Sequence, residues 1–275
     1  MTKSMCIVIA AVLTPACVYA VDGQVLINQA TVISAGGFPY KITLPGSYKL
    51  SGNLVVGGNM HGIDIQADNV TLDLNGFSIT GPVSCTGAVS CQGNVCQGPV
   101  CTPFSQVAGV HSGNRNITVK NGSIRGFGFG IDLEASAIVS DVHATSNFQA
   151  GIYVAGPSVI VHCQASSQGS DGIHAEGPAT ISESAATNNG NDGIYAVDST
   201  LLHNLAYGNL EGIEIVGGTA IGNAITRNAS QGLRIGYLSK VVFGSNTITG
   251  NGTDIYNSYG VMVSQNNNVC STGPC

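Results

Sequence analysis

The stretch Asn188-Asn189-Gly190-Asn191-Asp192-Gly193-Ile194-Tyr195-Ala196 decides the fold, because the chain repeats its pattern along most of its length. Gly followed by an aliphatic residue recurs at Gly109-Val110, Gly130-Ile131, Gly151-Ile152, Gly172-Ile173, Gly193-Ile194, Gly212-Ile213 and Gly232-Leu233, in steps of 21, 21, 21, 21, 19 and 20. A diverged copy follows at Asp254-Ile255, and an early one stands at Gly62-Ile63, 47 residues before Gly109. The segments Asn69-Val70-Thr71-Leu72 and Asn116-Ile117-Thr118-Val119 match at the same offset of 47, so that gap is one unit of 21 plus an insertion of 26. After each Gly, positions one and three are apolar and position two is polar or aromatic, the alternation of a half-buried strand. A period near 21 built of short strands predicts a β-solenoid. An α-solenoid would need helical spacing and few Gly, and the chain has 38 Gly.

Stacking the units turns each repeat position into a column. Ile63, Val110, Ile131, Ile152, Ile173, Ile194, Ile213, Leu233 and Ile255 become a continuous aliphatic core with rungs about 4.8 Å apart. Asn147, Gln168, Asn189, Asn209, Asn228 and Asn251 form an amide column that can hydrogen-bond up the stack. A shorter amide column holds Asn204, Asn223 and Asn246. Its earlier places are Val142, Cys163 and Ser184, which makes Cys163 a small buried filler.

Composition narrows the function classes. Only 9% of the 275 residues are charged, net charge is −6, and hydrophobic residues make up 43%. That apolar content argues against disorder, and nine Lys and Arg give no basic face for nucleic acid. Residues 1–20 read as a signal peptide: Lys3, an apolar run from Cys6 to Leu13, then Val18-Tyr19-Ala20. Cys17 as a lipidated residue is the lesser alternative. No later run is long and apolar enough for a membrane span. Residues 21–275 then form one exported domain, secreted, periplasmic or at the cell surface, where disulfides persist. Cys85, Cys91, Cys96 and Cys101 fall inside the insertion at about 81–107 and are expected to staple it, with their pairing left open. Cys270 and Cys275 are expected to close the C-terminal end. Zinc would usually show a two-residue gap, and none is present. Val25 to Gly37 and Gln265 to Asn268 are expected to cover the exposed end edges. With both ends covered, a monomer is expected.

The repeats Asn189-Gly190-Asn191-Asp192-Gly193-Ile194-Tyr195 and Asn246-Thr247-Ile248-Thr249-Gly250-Asn251 resemble the right-handed parallel β-helix repeat family, whose fold is that of pectin lyases. Pro45-Gly46-Ser47-Tyr48-Lys49-Leu50 and Val70-Thr71-Leu72-Asp73-Leu74-Asn75-Gly76 resemble the opening coils of exported bacterial members. The resemblance covers about residues 40 to 265. It implies an all-β, single-stranded right-handed parallel β-helix of ten or eleven coils. It also implies that an outward sheet face serves as a groove for polysaccharide or a cell-surface glycan. The polygalacturonase motifs, the Asp-Pro-His motif of alginate epimerases and the basic, Ca²⁺-lined groove of pectate lyases have no counterpart here, and fold alone does not confer the reaction.

The outward column two past each Gly reads Asp64, His111, Asp132, Tyr153, His174, Tyr195, Glu214, Arg234, Tyr256. Tyr153, Tyr195, Glu214, Arg234, Tyr256 and Asp132 are the expected carbohydrate contacts, because Tyr rings stack on the apolar faces of sugars. Glu214 and Arg234 should neutralise each other. Just before the Gly stand Asp171, Asp192 and Glu211, expected about 5 Å apart for neighbours and 10 Å for the outer two, which suits an acid–base carboxyl pair. Stacked like charges should raise one pKa. With His174 these are the candidate catalytic residues of a polysaccharide lyase or glycoside hydrolase. No metal site or cofactor is required, although the same oxygens could hold Ca²⁺. Asp before Gly is also ordinary turn chemistry. The alternative function is a non-catalytic exported scaffold or adhesin. His143, His162 and His203 form no expected metal column.

Overall fold

The computed structural model describes residues 23–92 and 95–275, without the side chains of 91, 92 and 95. The expected signal peptide and Cys17 lie outside the described residues. The chain is a right-handed parallel β-helix in which each coil lays one short strand on each of three faces. On the first face the strands at Tyr40–Ile42, Ile63–Ile65, Ala108–Ser112, Phe129–Leu133, Ile152–Val154 and Ile173–Ala175 pair in sequence. They continue through Asp192–Leu202, Glu211–Ile221, Gln231–Ile235 and Thr253–Asn257. The register follows the repeat: Ile131 pairs with Ile152, Ile152 with Ile173, Ile173 with Ile194, and Ile194 with Ile213. The eight members of this column from Ile63 to Leu233 are fully buried. Replacing any one by Ala would cost about 2–5 kcal/mol.

Both amide columns form. Asn189 Nδ2 donates to Asn209 Oδ1 at 2.9 Å, Asn209 Nδ2 to Asn228 Oδ1 at 3.1 Å, and Asn228 Nδ2 to Asn251 Oδ1 at 2.9 Å. The backbone N–H of each donates to the same oxygen above it. Each amide also reaches a carbonyl at the corner, as Asn209 Nδ2 does to Ala186 O at 3.0 Å. The corner N–H groups that strand pairing would leave orphaned are thus satisfied inside a dry core. The second ladder runs Asn204, Asn223, Asn246 and then Asn268, which extends the expected tail cap by a true rung. Cys163 is buried in this column, and burial pushes its thiol up to about 11, so it remains a neutral filler.

Several details differ from the sequence reading. At the N-terminal end Gln24–Ile27 is itself a rung, paired with Gly46–Leu50, and the cover is a helix, Gln29–Ser34, that sends Val32 into the core. Asn28 and Thr31 cap it reciprocally, a signal that the repeat drew attention away from. Asp141, His162, Glu183 and His203 occupy successive places in one corner column, where His162 contacts both acids at 3.6 and 3.0 Å.

The insertion leaves the stack as expected. Its outer pair of strands, Ser84–Thr86 and Val100–Thr102, is closed by the Cys85–Cys101 disulfide. Its inner pair sets Cys91 opposite Cys96, and Cys96 is disulfide-bonded. Cys270 and Cys275 join at the far end. The insertion lies along the corner that precedes the first face. Cys85 and Cys101 approach Asn147 O, and Phe104 meets Phe148 edge-on at 4.9 Å. Gly98 lies directly against Gly190, where a Cβ would have no room.

Candidate functional site

The outward positions of the first face form one ladder. Lys41, Asp64, His111, Asp132, Tyr153, His174, Tyr195, Glu214, Arg234 and Tyr256 are successive register partners. Its middle is aromatic. Tyr153 and His174 stack at 5.3 Å, His174 and Tyr195 at 4.5 Å, and Phe129 continues the row at 5.7 Å from Tyr153. Strand spacing sets these separations, since each ring stands on an adjacent rung. An open cleft of about 500 Å³ sits over this segment, lined among others by Phe129, Asp132, Glu134, Tyr153, His174 and Glu176. The stapled insertion walls the same corner, for Gln149 and Ser170 border both this cleft and the insertion. Arg234 is drawn into ion pairs, and Tyr256, 45% exposed, stands beyond the stacked rings. A second cleft, about 530 Å³, lies on the neighbouring face among Ile138, Val159, Pro157 and Pro178. Its only titratable lining group is Asp198, so the chemistry-bearing side chains lie on the first face.

The three carboxyls before the Gly divide into different states. Asp171 accepts from His174 Nδ1 at 2.7 Å, from Asn191 Nδ2 at 2.9 Å and from the Asp192 backbone N–H at 3.1 Å. Burial alone would raise its pKa, but the hydrogen bond and charge of His174, with Asn191 and the Asp192 N–H, hold it below the usual carboxylate range. Glu211 is paired with Arg234 at 3.2 Å, and Arg234 also holds Glu214 at 3.1 Å. Asp192, only 3% exposed, makes no salt bridge among the described residues. Burial first, then the charges of Asp171, Glu211 and Glu214, push its carboxyl well above the ordinary value. Its Oδ1 has no hydrogen-bond partner, while Oδ2 accepts from Asn191 at 3.2 Å. The pKa values of these neighbouring carboxyls, bridged by the Asn191 amide, are thus pushed in opposite directions, the arrangement that acid–base chemistry needs.

His174 also reaches Glu176 at 3.3 Å, and Tyr153 donates to Glu176 at 2.9 Å. Burial and Glu176 push the Tyr153 hydroxyl up to about 12, so it stacks and donates as a neutral phenol. Burial would lower His174, but Asp171 and then Glu176 overcome this and raise it. The linkage of the pair has a definite window. The His174 contribution is complete below about 6.5 and disappears as pH rises through the raised folded value. The Asp171 contribution is complete above about 3.9 and disappears as pH falls through the lowered folded value. We therefore expect the stability gap between the parent and His174→Gln, measured by thermal unfolding, to peak between about pH 4 and 6.5 and shrink at pH 8 and above. A gap that grows with pH would show that His174 is not the charged partner.

The carboxylates of Asp192, Glu211 and Glu214 lie within 4.8 Å of one another, as do ligand atoms of His111, Asp132 and Glu134. Three oxygens suit Ca²⁺, but the ion would have to displace the Arg234 guanidinium from the first set, and the second offers an imidazole that Ca²⁺ seldom takes. Sequence reasoning missed Phe129, Glu134 and Asn191. Phe129 shares the offset of Asp171, one before Gly, and Glu134 shares that of Glu176, four after it, so the repeat itself carried the signal.

The chain matches no protein-family model and no curated protein. Among solved structures it is similar to the A-module of the mannuronan C-5 epimerase AlgE4 from Azotobacter vinelandii, with a TM-score of 0.62, 15% identity, and coverage of 88% of this chain and 72% of that one. The A-module of AlgE6 from the same organism gives 0.54 at 16% identity, covering 78% of this chain and 61% of that one. Identities this low speak to the shared fold.

Proposed function

We propose that this protein binds a polysaccharide lengthwise along the first face and acts on it with the Asp171–Asp192 pair. The observation that carries the reading is a continuous aromatic row, the stacked rings of Tyr153, His174 and Tyr195 with Phe129 tilted against Tyr153, beside two neighbouring carboxyls whose pKa values are pushed in opposite directions. Rings stacked on adjacent rungs present a sugar chain with a continuous ridge of aromatic edges, and acidic groups at the rim supply hydrogen-bond partners. Asp192 would give a proton to the leaving oxygen, and Asp171, oriented by His174 and Asn191, would act as base or nucleophile. Both structural neighbours are A-modules of enzymes named for acting on a polysaccharide, which favours a glycan over a small-molecule ligand. Export to the periplasm or cell exterior fits the Cys85–Cys101 and Cys270–Cys275 disulfides. Ca²⁺ is optional in this reading, and a monomer suffices.

The test is incubation of the mature protein with a panel of neutral, acidic and amino polysaccharides, with and without Ca²⁺, following retention and chain cleavage. Tyr153→Ala combined with Tyr195→Ala should lower retention at least tenfold, since each ring removed forfeits about 1 kcal/mol or more of stacking. Unchanged retention in that double variant, or no retention by the parent across the whole panel, would sink the proposal and leave the scaffold role.

A further inference from the structure

We infer that the glycan for this face is an amino polysaccharide carrying protonated amines, not a uronate polymer; the inference rests on the glycan-binding reading above. The cleft over Tyr153 is lined by Asp132, Glu134 and Glu176. Asp132 has its pKa raised by burial, with no cation beside it except the imidazole of His111. His174, the ionisable base in the lining, is engaged on both ring nitrogens by Asp171 and Glu176. The one guanidinium on the ladder, Arg234, gives its Nη1 to both Glu211 and Glu214, so two carboxylates already oppose its charge. A polyanion laid in this cleft would meet the carboxyls of Asp132, Glu134 and Glu176, which is unfavourable.

A second observation points the same way. Asp192 Oδ1 is buried without a partner, and its carboxylate is grouped with those of Glu211 and Glu214. An ammonium docked at that mouth would give Asp192 Oδ1 the hydrogen-bond donor it lacks. Carboxylates on neighbouring rungs would then meet amines on neighbouring sugars, while the Phe129–Tyr195 rings pack against the sugars.

The experiment is isothermal titration with a fully deacetylated chitin hexamer, its N-acetylated counterpart, and an oligouronate of equal length with and without Ca²⁺. The deacetylated hexamer should bind at least about tenfold tighter than the acetylated one, and this preference should disappear in Asp132→Asn combined with Glu134→Gln. Thermal unfolding of that variant verifies that it is folded. Equal affinity for the two hexamers, or tighter binding of the oligouronate alone, overturns the amine preference and leaves glycan binding intact. Oligouronate binding only with Ca²⁺ overturns it in favour of a bridging cation. Binding of none of these by the parent overturns the amine inference, and the parent failing the broad polysaccharide panel as well overturns the glycan reading itself.

Discussion

Asn209→Ala should destabilise the protein by roughly 2–6 kcal/mol, the sum of about two buried polar groups left unpaired at 1–3 kcal/mol each. Asn209 is fully buried. Its Oδ1 accepts both the backbone N–H and the side-chain amide of Asn189, and its Nδ2 serves Ala186 O and Asn228 Oδ1. Alanine fills less space, and water has no path in to replace these bonds. The loss falls in the middle of a one-dimensional stack in which each coil is held by its neighbours, so the coils on either side should begin to melt separately. Urea unfolding followed by circular dichroism gives the size of the effect, and a broadened or two-step transition would reveal the split. A loss below about 1 kcal/mol would mean that the ladder is an ornament of the corner and not its support.

Asp192→Asn should act in opposite directions on activity and stability. If the acid–base reading holds, cleavage of the preferred glycan falls at least about a hundredfold, because an amide cannot deliver the proton. Stability at pH 7 should rise. A carboxyl whose folded pKa lies above its unfolded value contributes most below about pH 3.9, and that contribution is lost as pH climbs toward the folded value. The parent therefore carries a penalty at neutral pH that the amide does not, and the advantage of the variant should fade toward pH 3. A melting temperature that differs equally at pH 3 and pH 7 would show that Asp192 is not held protonated. This cost in stability, retained beside a cleft, is what a functional group with an uncompensated environment looks like.

The spacing of Gly-aliphatic pairs carried most of the architecture. Because vertical neighbours are fixed by a period, Ile152 over Ile173 and Tyr153 over His174 were legible without coordinates, and so were both amide ladders. What the repeat could not carry was how side chains of equal rank divide their partners. Asp171, Asp192 and Glu211 look alike in sequence. They part company because His174 stands three residues beyond Asp171, and Arg234 reaches back from the coil after Glu211. Those choices depend on rotamers and reach. The insertion escaped for a related reason: having left the period, Cys85 to Cys101 gave no sign of which corner they would lie against. The path back over Phe148 and Gly190, which makes them a wall of the cleft, is a property of packing alone.

The most direct test of the account is a crystal structure of the protein with a bound oligosaccharide. Sugar rings should sit against Phe129, Tyr153 and Tyr195, with the scissile oxygen beside Asp192 and the stapled insertion along one flank. Sugar density in the cleft of the neighbouring face, among Pro157, Val159 and Pro178, with the ring ladder bare, would contradict it.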